Sequence, residues 1–137
     1  MASAQEGKAS ASASWTPLTN LPPGGSVINM WLLTDGTVIT QSGDVGQHWF
    51  KLTPDAHGSY VNGTWTTLAP MSFPRLYFTT NVLQDGRVWR LGGEYTGPYF
   101  DPNIAPSGAI YDPIKNTWSP IAPYPNEPGG CGRPPNN

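Results

Sequence analysis

From Val27 to Ile121 the chain is written in short apolar runs separated by turn residues, most of them too short for a helix. In WLLTDGTVITQSGD, Trp31 to Asp44, an apolar run meets Asp-Gly, a second run follows, and a small pair leads to an acid. NVLQDGRVWRLGGEY, Asn81 to Tyr95, repeats that order fifty residues on, with Asp35 matching Asp85 and Gly36 matching Gly86. Asp-Gly between two short apolar runs predicts a hairpin of type I′, because both residues tolerate positive φ.

Two further markers share the period. Trp15, Trp65 and Trp118 open WTPLTNLP, WTTLAPMS and WSPIAPYP, spaced by 50 and 53 residues. Each has an aliphatic residue three positions on and then a Pro-containing turn. KLTPDAHGSYVNGTW and IYDPIKNTW both run from a strand-like start through Pro and an Asn turn to Thr-Trp. Asn62-Gly63 and Lys115-Asn116 are read as the outer turns. Each unit then contains two hairpins, hence a four-stranded antiparallel meander. The strands are expected near 27–33, 37–42, 49–53 and 64–68, and again near 76–83, 87–91, 109–112 and 117–121.

Alternation assigns the faces. In RVWRL, Val88 takes one face while Arg87, Trp89 and Leu91 share the other; in TVIT, Val38 and Ile39 point opposite ways. Apolar residues on both faces imply sheets covered on both sides, as in a stack or ring.

With the Asp-Gly hairpin, the Gly92-Gly93 doublet, the YDPIKNTW segment and a period near fifty, the chain resembles the kelch repeat, each copy of which forms one blade of a β-propeller. The second unit, 75–123, carries nearly every element of that pattern, including Arg75 shortly before the first strand. The first unit is a weaker copy, with Ser42-Gly43 for the doublet and LTPD for YDP. The phrases LTDGTV, TPD…GSYVNGTW and GGEY are similar to those of bacterial kelch-repeat-containing proteins. The resemblance implies an all-β fold: kelch-type β-propeller blades, each a four-stranded antiparallel meander, in an incomplete propeller. It divides the chain into a disordered leader (1–14), two blades with a flanking N-terminal strand (15–125) and a disordered Gly/Pro tail (126–137). The strand at Trp15 would be an outer strand completing another blade.

A ring takes about four to eight blades. Two would leave an apolar face open on each side, prone to self-association. The chain is then a fragment of a longer propeller, a unit that closes a ring with its own copies, or a partial domain.

Composition narrows the partners. Charged residues are 12% of the chain, and Gly and Pro number 16 each. Six Trp, six Tyr and four Phe supply the burial that ordering requires. A net charge of −2 with seven scattered basic residues leaves no footprint for nucleic acid. No stretch approaches the roughly 18 apolar residues of a membrane span, so no membrane partner is expected. The N-terminal residues lack the apolar core of a secretory signal. The compartment stays open, with the resemblance leaning towards a secreted, extracellular or periplasmic protein.

Candidate chemistry is sparse. Cys131, the single cysteine, excludes an internal disulfide and reads as an incidental thiol in a Gly/Pro stretch. His48 and His57 are the only histidines, too few for a zinc site. Kelch-like folds include galactose-oxidase-type copper radical enzymes, and that resemblance would imply two His, two Tyr and a Tyr-linked Cys. No Cys lies in the blade strands and both His fall on one blade, so no cofactor is expected. Asp44 and Glu94 hold equivalent positions and could serve as a carboxylate pair, or only as polar strand ends. Asn62-Gly63-Thr64 fits the glycosylation sequon, although the turn accounts for it.

The longest insertion runs from Glu94 to Ser107. Loops on a rigid scaffold carry binding function, and Tyr95, Tyr99 and Phe100 lie here. Together with Arg75, Arg90 and Glu94 they form the candidate ligand-binding set, for a protein or glycan. Arg90 stands in an otherwise apolar strand, where it would pair with an acid such as Glu94 or line a channel. Non-catalytic binding leads; a fragment of a galactose-oxidase-like or carbohydrate-active propeller enzyme is the alternative, and an inert structural unit the third reading.

Overall fold

In the computed structural model, residues 13–44, 46–95 and 104–124 are described. They form eight strands: β1 (Val27–Leu32), β2 (Val38–Ser42), β3 (Trp49–Thr53), β4 (Thr64–Leu68), β5 (Thr79–Val82), β6 (Val88–Leu91), β7 (Gly108–Asp112) and β8 (Thr117–Ile121). Two separate four-stranded meanders result, β1-β2-β3-β4 and β5-β6-β7-β8, with every neighbouring pair antiparallel. They are called blade 1 and blade 2 below.

The Asp-Gly hairpins differ from type I′. Positive φ occurs at Gly36 (80°) and Gly86 (85°) but at neither aspartate. The Gly36 N–H donates to the Leu33 carbonyl at 3.0 Å and the Leu33 N–H to the Thr37 carbonyl at 2.8 Å. This is a three-residue loop, a type I turn followed by a left-handed Gly. The aspartate acts through its side chain instead: Asp35 Oδ1 accepts from the Thr37 N–H at 2.9 Å and the Thr37 hydroxyl at 2.7 Å. Asn62-Gly63 likewise has no positive φ, whereas Asn116 does, at 52°.

Directly opposed residues share a face, so the register sorts the side chains. Trp31, Ile39, Trp49 and Leu68 lie on one face of blade 1, and Val82, Val88, Tyr111 and Trp118 on one face of blade 2. These two faces pack together, with Leu33, Met71 and Phe78, as the core. Trp49 is at its centre, 1% exposed, with ring centroids 5.2 Å from Trp31, 6.1 Å from Phe78 and 5.1 Å from Trp118. Each such aromatic pair adds roughly 0.5–1.5 kcal/mol beyond its buried area.

A clamp reinforces the stack. The Trp118 indole donates to the Ala69 carbonyl at 3.0 Å, and the Ala69 N–H donates to Asn116 Oδ1 at 2.8 Å. Blade 1 repeats the device on the N-terminal segment. There the Trp65 indole donates to the Asn20 carbonyl at 3.0 Å, and the Thr19 hydroxyl to Asn62 Oδ1 at 3.0 Å. Thr19 and Asn20 thus meet blade 1 much as the end of β4 meets blade 2. No strand forms at 13–26, and Trp15 is fully exposed. The expected flanking strand is therefore a docked segment whose hydrogen bonds start at Thr19.

Candidate functional site

The described parts of the connections between the second and third strands of each blade, 43–44 and 46–48 in blade 1 and 92–95 and 104–107 in blade 2, lie at one end of the two sheets. The segment linking the blades, 69–78, runs along the same end. Arg75, Glu94 and Tyr95 lie there, with Arg90 one residue inside the end of β6. Tyr99 and Phe100, the remaining candidates, fall outside the described residues.

Arg75 is 2% exposed. Its Nη1 donates to the carbonyls of Gly92 (2.8 Å) and Ser107 (2.7 Å), and its Nη2 to the Ser107 hydroxyl (2.8 Å). The Arg75 carbonyl accepts from Gln41 Nε2 at 2.6 Å, which joins it to blade 1. Gly93, at φ 111°, lets the arginine pass: a Cβ there would lie 2.7 Å from Arg75 Cγ. Arg75 is therefore a buried tie between the ends of β6 and β7, with only its Nε unpartnered.

Arg90 differs. It is 5% exposed, and its Nε and Nη1 have no hydrogen-bond partner. Its guanidinium carbon lies 5.7 Å from the Trp118 ring centroid, a cation–π contact. Burial, and then the charge of Arg75, push its pKa down to about 10. The ion pairs of the described residues are His48–Asp44, Arg87–Asp85 and Lys115–Asp112. The expected Arg90–Glu94 pair is not among them. Arg90 instead lines a cleft of about 170 Å³ with Arg75, Ser72, Phe73, Ser107 and Trp118.

Glu94 enters through its backbone. It forms an antiparallel bridge with Leu76, with N–H to carbonyl distances of 2.8 and 2.9 Å, and a second bridge with Ile104. On either side of the first bridge stand two tyrosines in left-handed backbone conformations, Tyr77 (φ 52°) and Tyr95 (φ 58°). Their rings meet edge to face, 5.9 Å apart at 64°. Tyr77 is 75% exposed. A non-glycine residue with positive φ stores of order 1–3 kcal/mol of strain, and such residues cluster at ligand sites. Tyr77 is the residue missed in the sequence, because RLYF reads as a strand start. The strand begins at Thr79 instead, and a tyrosine at positive φ carries no compositional signal of the kind Gly or Asn does.

The carboxylate pair gains no support. Asp44 Oδ2 lies 3.0 Å from His48 Nδ1. The Ser42 hydroxyl foremost, with His48 adding to it, holds the Asp44 carboxyl below the usual carboxylate range. That suits a fixed anion, not a proton donor. His48 and His57 flank β3 at opposite ends, in loops 43–48 and 54–63. Among the described residues no group of three His, Cys, Asp or Glu could hold a metal.

No family model matches the chain. It is 40% identical over 62 residues to an F-box/kelch-repeat protein of Arabidopsis thaliana, a match covering 45% of this chain and 17% of the relative. A structure described as that of YjhT superposes with a TM-score of 0.51 at 27% identity, covering 62% of this chain and 23% of that one. The two sheets are similar to kelch repeats in sequence and in their four-stranded antiparallel form. Galactose oxidase of Gibberella zeae is 32% identical to the chain over 56 residues, 41% of this chain and 8% of that protein. The kelch blades described here thus span less than a quarter of each of these proteins.

Proposed function

We propose that these two kelch blades belong to a non-catalytic binding propeller that recognises a glycan on the Tyr77–Tyr95 edge. The observation that carries this is the pair of left-handed tyrosines held by the Leu76–Glu94 bridge, one of them largely exposed. Strain at these two facing rim positions leaves Tyr77 largely exposed, with the edge of the Tyr95 ring as its aromatic contact. It fixes an amphipathic ring at a defined angle, which suits the apolar face of a sugar.

The alternative is a galactose-oxidase-like enzyme, favoured by the 32% identity to that protein. Binding stands first because the tyrosine edge is an assembled, largely exposed aromatic surface.

Saturation-transfer NMR on the chain with a panel of neutral oligosaccharides tests the reading. Tyr77→Gly and Tyr95→Gly keep the left-handed backbone accessible and remove the rings. Each is expected to weaken the best ligand by about tenfold, given roughly 0.5–1.5 kcal/mol per aromatic contact. Saturation transfer that is absent across the panel, or unchanged in both variants, would contradict the proposal.

A further inference from the structure

We propose that the cleft beside Arg90 is a carboxylate-binding site, distinct from the tyrosine edge. Two guanidinium groups, 5% and 2% exposed, line one small cleft, and none of the described ion pairs supplies a carboxylate to either. A buried cation is costly unless paired and hydrogen-bonded. Arg75 spends both terminal nitrogens on Gly92 and Ser107, so its hydrogen bonds are fixed, and no described carboxylate forms an ion pair with it. Arg90 has Nε and Nη1 buried without a hydrogen-bond partner. The Trp118 ring beneath it stabilises the cation without using a donor.

Shape and lining select the anion. A cavity of about 150 Å³ takes a benzene-sized molecule, and this cleft is of about 170 Å³. Phe73, Trp118 and Pro120 give it apolar walls, with Ser72, Ser107 and Ser119 as the hydroxyl-bearing members. An organic carboxylate with a compact apolar body fits those walls better than a fully hydrated inorganic anion. The equivalent position in blade 1 is Thr40, so the site is particular to blade 2 and not a feature of the repeat. The carboxylate can belong to a free small molecule or to an acidic side chain of another copy.

The experiment titrates benzoate, benzamide and inorganic phosphate into the 137-residue chain, read by the Trp118 indole resonance, at two protein concentrations. Benzoate is expected to saturate the shift while its neutral isostere benzamide does not. Arg90→Gln is expected to lose roughly ten- to a hundredfold in affinity, the range for hydrogen bonds to a charged group. Arg90→Lys keeps the charge and should retain part of the binding, with dispersed amide spectra reporting that both variants fold. Affinity independent of protein concentration identifies a free ligand; affinity that falls as protein is concentrated identifies an acidic side chain from a second copy. Equal binding of benzamide, preference for phosphate, no saturable shift, or unchanged affinity in folded Arg90→Gln would each overturn the assignment.

Discussion

Blade 1 and blade 2 share a strand order, a turn design and an indole clamp, yet their Trp-bearing faces meet different surroundings. In blade 2 that face carries Val82, Val88, Tyr111 and Trp118 and is filled by blade 1, leaving Val88 0% and Tyr111 1% exposed. In blade 1 the matching row is Leu32, Val38, Leu52 and Trp65, and Leu32 remains 62% exposed. Among the described residues, only the short segment around Thr19 and Asn20 stands where blade 1 would be for blade 2. One repeat therefore displays the interface made and the other displays it open. Stability should follow that division, because a repeat unit draws much of its stability from its neighbour.

The sharpest way to break the comparison is to remove each indole. Trp118→Ala deletes rings packed on Trp49 and Tyr111 together with the bond to Ala69. It is expected to cost about 3 kcal/mol, the lower end for a large aromatic in a core. Trp65→Ala removes the same chemistry from the open face and should cost about 1 kcal/mol, the scale of a single net hydrogen bond. Chemical denaturation measures both, and equal costs would mean that the two faces are not in different states.

Glycine substitutions sharpen the contrast between the turn and site ends. Gly93→Ala forces a Cβ to within 2.7 Å of Arg75 Cγ and of the Leu76 carbonyl, at φ 111°. A loss of about 2 kcal/mol is expected, since strain at an unusual backbone conformation is of order 1–3 kcal/mol. Gly36→Ala meets open space at φ 80° and should lose only about 1 kcal/mol. Thermal unfolding of the two variants ranks them.

A further effect is one of pH. Burial foremost, with the Asp112 charge adding to it, pushes the Tyr111 phenol up from 10.0 to about 12. Below pH 10 both folded and unfolded chains hold the proton, and nothing changes. Between about 10 and 12 the unfolded state releases it first, so folded stability falls as pH rises through that window. Tyr111→Phe should flatten this part of the profile. Leu52, its counterpart in blade 1, contributes no such slope.

Most of the fold was legible because hairpin chemistry is local. Strands β3, β4 and β8 fall where expected, and β2, β6 and β7 within one residue. The type I′ expectation failed because Asp-Gly also suits a type I turn with a left-handed Gly, where the aspartate serves as an acceptor. The start of β5 failed for a different reason: Leu76 pairs with Glu94, 18 residues away, and that bridge turns Tyr77 out of the strand. At the site, Arg75, Arg90, Glu94 and Tyr95 were all named, but their partners were not. Gly92, Ser107, Trp118 and Tyr77 are brought to them by the stacking of strands, which no spacing along the chain encodes. Arg90 drew attention as a charge in an apolar strand; that it is buried without a carboxylate emerges only from packing.

The measurement that bears most directly on the stacked-blade account is hydrogen–deuterium exchange at the two matched indole N–H groups. The Trp118 N–H donates to Ala69 across the packed interface, while the Trp65 N–H donates to Asn20 at an exposed site. Exchange from the first requires the blades to part, whereas exchange from the second needs only the N-terminal segment to lift. The account predicts that Trp118 exchanges roughly tenfold or more slowly than Trp65. Equal rates, or faster exchange at Trp118, would contradict it and mean that the two kelch blades do not hold each other in solution.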